Sequence, residues 1–348
     1  MNQAARSLTM RLLSKGATHI PLAWVGPLAG VPLLVPYYHV VSDESLPHVS
    51  HLYRFRTIRE FRSDLEFFLL RFKPVTLGEI VEGLDGTRPL GYPRFHLTFD
   101  DGFREMHEIV APILHRAGVP CTFFLNTAYL GSGALAHHNA LSVLIDRLGS
   151  RRSDSAGLRR LESLLPAPAG NDTSLRSRLL SIPHKQASLV RTLAGVLDVD
   201  LDGYVREQRP YLSSGQVAAL LHKGFSVGAH SHDHPVYADL PLQEQLEQTR
   251  KSMELIEARF GVSPRAFAFP HTDCGVEEAF FTNVFAEPLL DVSFGTAGLV
   301  SHFHPRNIER VSMEKTSAPA AEILARQFAR AMYLKLRPGG WGRHANQA

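Results

Sequence analysis

Phe95-His96-Leu97-Thr98-Phe99-Asp100-Asp101-Gly102 is a short β-rich run that stops on two carboxylates and a glycine. Beyond Gly102, the residues Met106, Ile109, Val110, Ile113 and Leu114 recur at helical spacing until Gly118 and Pro120 end the pattern, and Cys121 to Leu125 opens a second β-rich run. Strand, helix and strand in that order form a βαβ unit, which sets two parallel strands in a sheet covered by helices.

The same alternation continues in both directions. Upstream lie a strand candidate from Leu34 to Val41 and an amphipathic stretch from Phe61 to Phe72. Downstream, Val217, Leu220 and Leu221 mark a helix stopped by Gly224, and the strand Phe225 to Ala229 runs into His230. A helix from Leu242 to Phe260, ended by Gly261 and Pro264, leads to a strand Ala266 to Phe269, a helix near Val276 to Phe285, a strand near Val292 and an extended segment Ile308 to Met313. Repeated βα units place the chain in the α/β class and predict a (β/α) barrel, with room for fewer than eight strands, over an open sheet. The stretch 131–211 is far too long for an ordinary βα connection. Its helical runs at Asn139 to Leu148, Gly157 to Leu165 and Leu175 to Leu197, with a polar linker at Pro166 to Thr173, read as a helical insertion forming a lid or subdomain. The expected organisation is an N-terminal segment 1–33, a barrel 34–315 interrupted by the insertion, and a basic C-terminal helix and tail 316–348.

A chain of 348 residues with 44% hydrophobic content can bury a substantial core, and a formal charge of +3 argues against nucleic acid as a partner. Cys121 and Cys274 are too few and too far apart for a disulfide framework or a thiolate zinc site. Pro21, Pro27, Pro32 and Pro36 break the charge-free N-terminal stretch, so no spanning helix is expected there, and no clean cleavage site follows a compact apolar run. The helix expected from Pro319 to Leu336 carries Arg326, Arg330 and Lys335, with Arg337 and Arg343 beyond and Tyr333 and Trp341 nearby. It is expected to pack on the barrel with a solvated basic face; its alternative is peripheral contact with an anionic membrane surface. The expected location is cytoplasmic, with the inner membrane surface as that alternative.

Parallel α/β architectures place chemistry at the C-terminal ends of strands. Three strand candidates end on reactive residues: Asp100-Asp101-Gly102, then His230-Ser231-His232-Asp233-His234-Pro235, then Pro270-His271-Thr272-Asp273. Adjacent carboxylates at one strand tip repel unless a cation stands beside them. His230 and His234 can turn two imidazoles onto one ion, and one of the two Asp residues completes a three-ligand site with open positions for water and substrate. Such an ion lowers the pKa of its water to about 7 and polarises a carbonyl, and the second carboxylate takes the water's proton. Spacing alone leaves open which Asp does which.

These motifs resemble those of the polysaccharide deacetylases with the NodB-homology domain, metal-dependent carbohydrate esterases on a distorted (β/α) barrel. The likeness spans Pro36 to Glu314. Thr98 to Gly102 is similar to the family's TFDDG motif, which implies Asp100 as base and Asp101 as metal ligand. His230 to Pro235 resembles its HSxxHP motif, which implies His230 and His234 as ligands and Ser231 as a brace for the loop. Val35-Pro36-Tyr37-Tyr38-His39 looks like the family's first strand and puts His39 near the barrel mouth, where a structural role is expected because it stands outside the paired motifs. The third motif departs from the pattern, with Ala268 where many members have Arg; Phe267 to Pro270 resembles the Phe-Ala-Tyr-Pro of bacterial exopolysaccharide deacetylases. Arg310 is expected to supply the missing cation to Asp100. The family's leucine-x-x-histidine source of the general acid is not evident, which makes His271 the first candidate and His304 the second.

The resemblance implies hydrolysis of an acyl group, N-acetyl first, from an amino sugar of a glycan or glycolipid. A divalent metal is required, Zn2+ by default, with Co2+ or Ni2+ fitting the same donors. Three rivals share the residues: an amide or imide hydrolase outside carbohydrates, a non-haem iron oxygenase with a two-His, one-carboxylate triad, and a non-catalytic glycan-binding scaffold.

Overall fold

The computed structural model describes residues 33–335 apart from 92, 151–154, 168–171, 288 and 301. Almost all of the N-terminal segment, part of the Pro166 to Thr173 linker, and the tail with Arg337, Trp341 and Arg343 lie outside the described residues.

The described residues form ten strands: β1 Pro36–Tyr38, β2 Lys73–Pro74, β3 Arg94–Phe95, β4 Leu97–Phe99, β5 Cys121–Leu125, β6 Ser226–Ala229, β7 Ala266–Ala268, β8 Val292–Phe294, β9 Asn307–Ile308 and β10 Val311–Ser312. Eight of them form one parallel sheet in the order β10-β1-β4-β5-β6-β7-β8-β9, and β2 pairs with β3. The sheet's two edge strands, β9 and β10, are separated in the chain only by Glu309 and Arg310. The sheet therefore curls until its edges nearly meet, the distorted (β/α) barrel expected. The single extended segment expected from Ile308 to Met313 is in fact these two strands on opposite edges, because the chain turns across the barrel seam between them.

Strand burial follows from this closure, since one face meets helices and the other the barrel interior. On β5, Cys121, Phe123 and Leu125 pack outward, and Phe124 points inward with Ala266, Ala268, Val292 and Phe294. Phe124 is in register with Gly228 of β6. A Cβ at Gly228 would stand 2.6 Å from the Ala266 carbonyl oxygen and 2.6 Å from the Phe124 ring, so glycine is what allows the ring into the interior.

Helix boundaries obey local signals. Thr57 and Glu60 make a capping box for Ile58–Arg71, Ser213 and Gln216 another for Ser214–His222, and Gly261 in the left-handed conformation ends Leu242–Phe260. The run after Gly102 begins as one π-helical turn, Met106–Val110, before the α-helix Ala111–Ala117. The stretch 131–211 is helical, but Leu175 to Leu197 is not one helix. Pro183 breaks it into Leu175–Leu180, a short turn, and Ala187–Val196, and Asp200 caps a further helix, Leu201–Gln208, that periodicity did not show. These helices share their own core, including Leu141, Leu144, Leu161, Leu179 and Leu193. Tyr211 ties the first of them to the barrel: its ring stacks on Phe103 and its hydroxyl donates to Asn139 at 2.7 Å.

The helix Ala320–Lys335 buries Ile323, Leu324, Phe328 and Ala331 on the barrel, beside Ile58–Arg71. Asp64 accepts the Ala320 N–H at 2.9 Å and pairs with buried Arg56 at 3.1 Å. Its apolar face is thus occupied. No helix among the described residues is long and apolar enough to cross a membrane.

Gly228→Ala is expected to cost about 1–3 kcal/mol of stability through overpacking at the β6–β7 contact, measured as a shift in denaturant midpoint. An unchanged midpoint would mean the interior has slack there.

Candidate active site

The tip of β4 is bent by two consecutive residues with positive φ, Asp101 at 76° and Gly102 at 72°. This turn sends the neighbouring carboxylates different ways. Asp100, 2% exposed, meets Arg310, which is fully buried: Nη1 donates to Oδ1 at 2.7 Å and Nη2 to Oδ2 at 2.8 Å. Arg310 also donates to Thr98 Oγ1 at 3.1 Å and, through Nε, to the Gly295 carbonyl at 3.1 Å, with Tyr37 under its guanidinium at 4.6 Å. The cation expected for Asp100 is therefore in contact with it. Burial alone would raise the Asp100 pKa; the Arg310 guanidinium outweighs burial and holds the carboxyl below its usual range.

Asp101 faces the histidine loop. His230 Nε2 lies 3.5 Å and His234 Nε2 3.2 Å from its Oδ1. His230 Nδ1 donates to the Ala268 carbonyl at 2.8 Å, which fixes the tautomer and leaves the Nε2 lone pair toward Asp101. Burial lowers the His230 pKa to about 4, so the ring is neutral, as a metal ligand must be. Asp101 Oδ1 itself is buried and accepts no hydrogen bond, while Tyr53 donates to Oδ2 at 3.3 Å. An orphaned carboxylate oxygen facing two imidazole nitrogens could hold a divalent ion. Ser231 Oγ accepts the His234 N–H at 3.0 Å, and Gln248 accepts the N–H groups of His232 and Asp233, so the loop is braced as the motif implied.

Asp100, Asp101, His230 and His234 line one cavity of about 300 Å³ that also takes in His39, Tyr53, His138, His271 and Thr296. His39 stands in this wall, near the barrel mouth as the resemblance implies, with Nδ1 donating to Glu314 at 2.6 Å. Burial works to deprotonate it, and the Glu314 carboxylate overrides burial and raises its pKa to about 9. His39 and Glu314 meet because β10 pairs with β1; only their places at two distant strand ends hinted at it. His271 lies in the cavity wall as expected, 4.4 Å ring to ring from His234, but desolvation and the His234 and His138 rings push its pKa down. His304 is elsewhere: its ring stacks on Phe285 at 4.5 Å and lines a separate cavity, which removes it as an acid for this site. His138, from the insertion's first helix His137–Ser150, carried no motif and was missed.

Asp273, His302 and Glu309 form a further buried group. Its donors are already used: Asp273 accepts from Thr296 and Asn307, Glu309 accepts from Ala297, and His302 Nδ1 accepts the His304 N–H, leaving the ring's proton on Nε2. The group ties the loop after β7, which carries His271, to β9.

A family model described as polysaccharide deacetylase matches residues 88–162 and 196–278. The deacetylase PplD of Streptococcus pyogenes in complex with acetate superposes with a TM-score of 0.54 at 13% identity, over 85% of this chain and 97% of that one. IcaB from Ammonifex degensii gives 0.53 at 17%, over 84% and 97%. A de-N-acetylase from Aggregatibacter actinomycetemcomitans gives 0.52 at 14%, over 84% and 99%. At these identities the likeness is one of fold. No curated protein matches the sequence.

The Arg310 clamp has a signed pH signature. A carboxyl held below its unfolded pKa contributes stability that is present above about 3.9 and lost as pH falls. In Arg310→Gln the contribution is gone and burial raises Asp100. The variant's stability deficit therefore widens as pH rises through the carboxylate range, toward about 3–5 kcal/mol near neutrality. Denaturant unfolding of both proteins between pH 4 and about 7 checks this; a deficit independent of pH contradicts it.

Proposed function

We propose that this chain, a member of the polysaccharide deacetylase family, is a metal-dependent hydrolase that removes an N-acetyl group from an amino sugar of a glycan or glycolipid. The observation that carries the reading is the division of labour at the β4 tip: Asp100 is held ionised by Arg310, while Asp101 turns a free oxygen toward His230 and His234. That a similar fold belongs to a de-N-acetylase, and another holds acetate, supports acetyl as the group removed.

Asp101, His230 and His234 would hold the ion, with zinc expected and cobalt or nickel fitting the same donors. When bound, it supplies Lewis acidity at the acyl oxygen and an acidified water. Asp100 accepts the proton of the attacking water on a lone pair that Arg310 leaves free. The water oxygen bonds to the acyl carbon, the carbon–nitrogen bond breaks, and His39, protonated by virtue of Glu314, donates its proton to the departing amine. Acetate and a free amino sugar result. His39 suits the acid role better than His271, because its carboxylate partner keeps it charged while the neighbours of His271 favour the neutral ring. The Asp100–Arg310 pair has no task in an iron oxygenase, which favours hydrolysis.

Acetate release from a panel of N-acetylated oligosaccharides by zinc-reconstituted protein tests the reading. Wild type is expected to release acetate, and Asp100→Asn to be slower by about 10²–10⁴-fold. Failure of a zinc-loaded wild type on every glycan would overturn it.

Glu314→Gln removes the carboxylate that raises the His39 pKa. The alkaline limb of its kcat/KM profile is expected to move to lower pH, since His39 then loses its proton earlier. An unmoved limb would exclude His39 as the acid.

A further inference from the structure

We propose that His138 and His271 form a second, weaker divalent-metal position in the same cavity, bordered by His234. The inference rests on the reading that Asp101, His230 and His234 hold a first ion. Among the described residues, the ligand atoms of His138, His234 and His271 lie within 4.8 Å of one another, as do those of Asp101, His230 and His234. The five side chains fall into two sets that share His234 and do not merge into one. Two nitrogens on one zinc stand no more than about 4.2 Å apart at ordinary zinc–nitrogen lengths, so a set too wide to merge marks two positions.

The chemistry of the second set agrees. His138 and His271 stand 4.9 Å ring to ring, and the His271 ring is 4.4 Å from that of His234. His271 reaches this place through a left-handed backbone at φ 56°. His138 is presented at the start of His137–Ser150, whose neighbouring Asn139 is fixed by Tyr211 at 2.7 Å and by the His48 carbonyl at 2.7 Å. Among the described residues, neither the His138 nor the His271 ring makes a hydrogen bond, whereas His230 Nδ1 is committed to Ala268. Two imidazoles in edge contact on one cavity wall, without a hydrogen bond among the described residues, suit zinc by their softness. No carboxylate belongs to this set, so its charge compensation is poorer and water must complete the sphere. It is therefore the weaker position. The insertion thus contributes a donor atom to the cavity as well as a wall.

The test is zinc titration of the chelator-stripped full chain against a chromophoric competitor, for wild type, His138→Ala, His138→Asn, His271→Ala and Asp101→Asn, each checked for folding by circular dichroism. Wild type is expected to take two equivalents, the second at least tenfold weaker. The His138 and His271 variants are expected to keep the tight equivalent and lose the weak one. A single equivalent in wild type, lost only in Asp101→Asn, overturns this inference and leaves the proposed function standing. Loss of the tight equivalent in the His138 or His271 variants also overturns it, because those imidazoles would then serve the first ion. No zinc on folded wild type defeats both readings.

Discussion

Arg310 occupies the joint between β9 and β10, where the curled sheet nearly closes, and its guanidinium crosses the interior to both oxygens of Asp100. One buried ion pair thereby links the seam of the barrel to the tip of β4. Its other contacts, to Thr98, Gly295 and the Tyr37 ring, leave the guanidinium no second orientation. A buried pair adds little net stability over an apolar filling of the same shape, but removing one partner strands the other at a cost of about 3–5 kcal/mol. The pair is therefore best understood as a device that sets the ionisation and aim of Asp100, with the fold made dependent on it.

The rest of the site is strained in an ordered way. Of the six non-glycine residues with positive φ among those described, four are Asp101, Ser231, His234 and His271. Such conformations cost about 1–3 kcal/mol each and persist where surrounding contacts over-determine them. Here the contacts are the Ser231 and Gln248 bonds to the histidine loop and the Asp273–Asn307–Glu309 network under the loop after β7. Donor atoms are thus held in place before any ligand arrives, which is how a site lowers the reorganisation its chemistry would otherwise require.

What could be read from sequence was what short-range chemistry controls. The helix Leu242–Phe260 was legible to its last residue because Gly261 ends it, and the two motifs were legible because each is one strand tip. What escaped depends on long-range closure. His39 and Glu314 become partners only through the pairing of β1 with β10, and Ile308 to Met313 reads as one extended run until the barrel seam divides it. Arg310 was legible because the third motif lacked a cation that Asp100 needed. His138 was not, since an imidazole on an inserted helix has no spacing rule to betray it, whereas the break at Pro183 is one that proline itself announces.

The most direct test of the account is a carbon-13 NMR titration of the Asp100 side-chain carboxyl, assigned by comparison with Asp100→Asn. At pH near 4, where an ordinary aspartate is about half protonated, the account predicts an Asp100 signal still at the ionised position. A signal that titrates at or above the ordinary aspartate value in the wild type would contradict it.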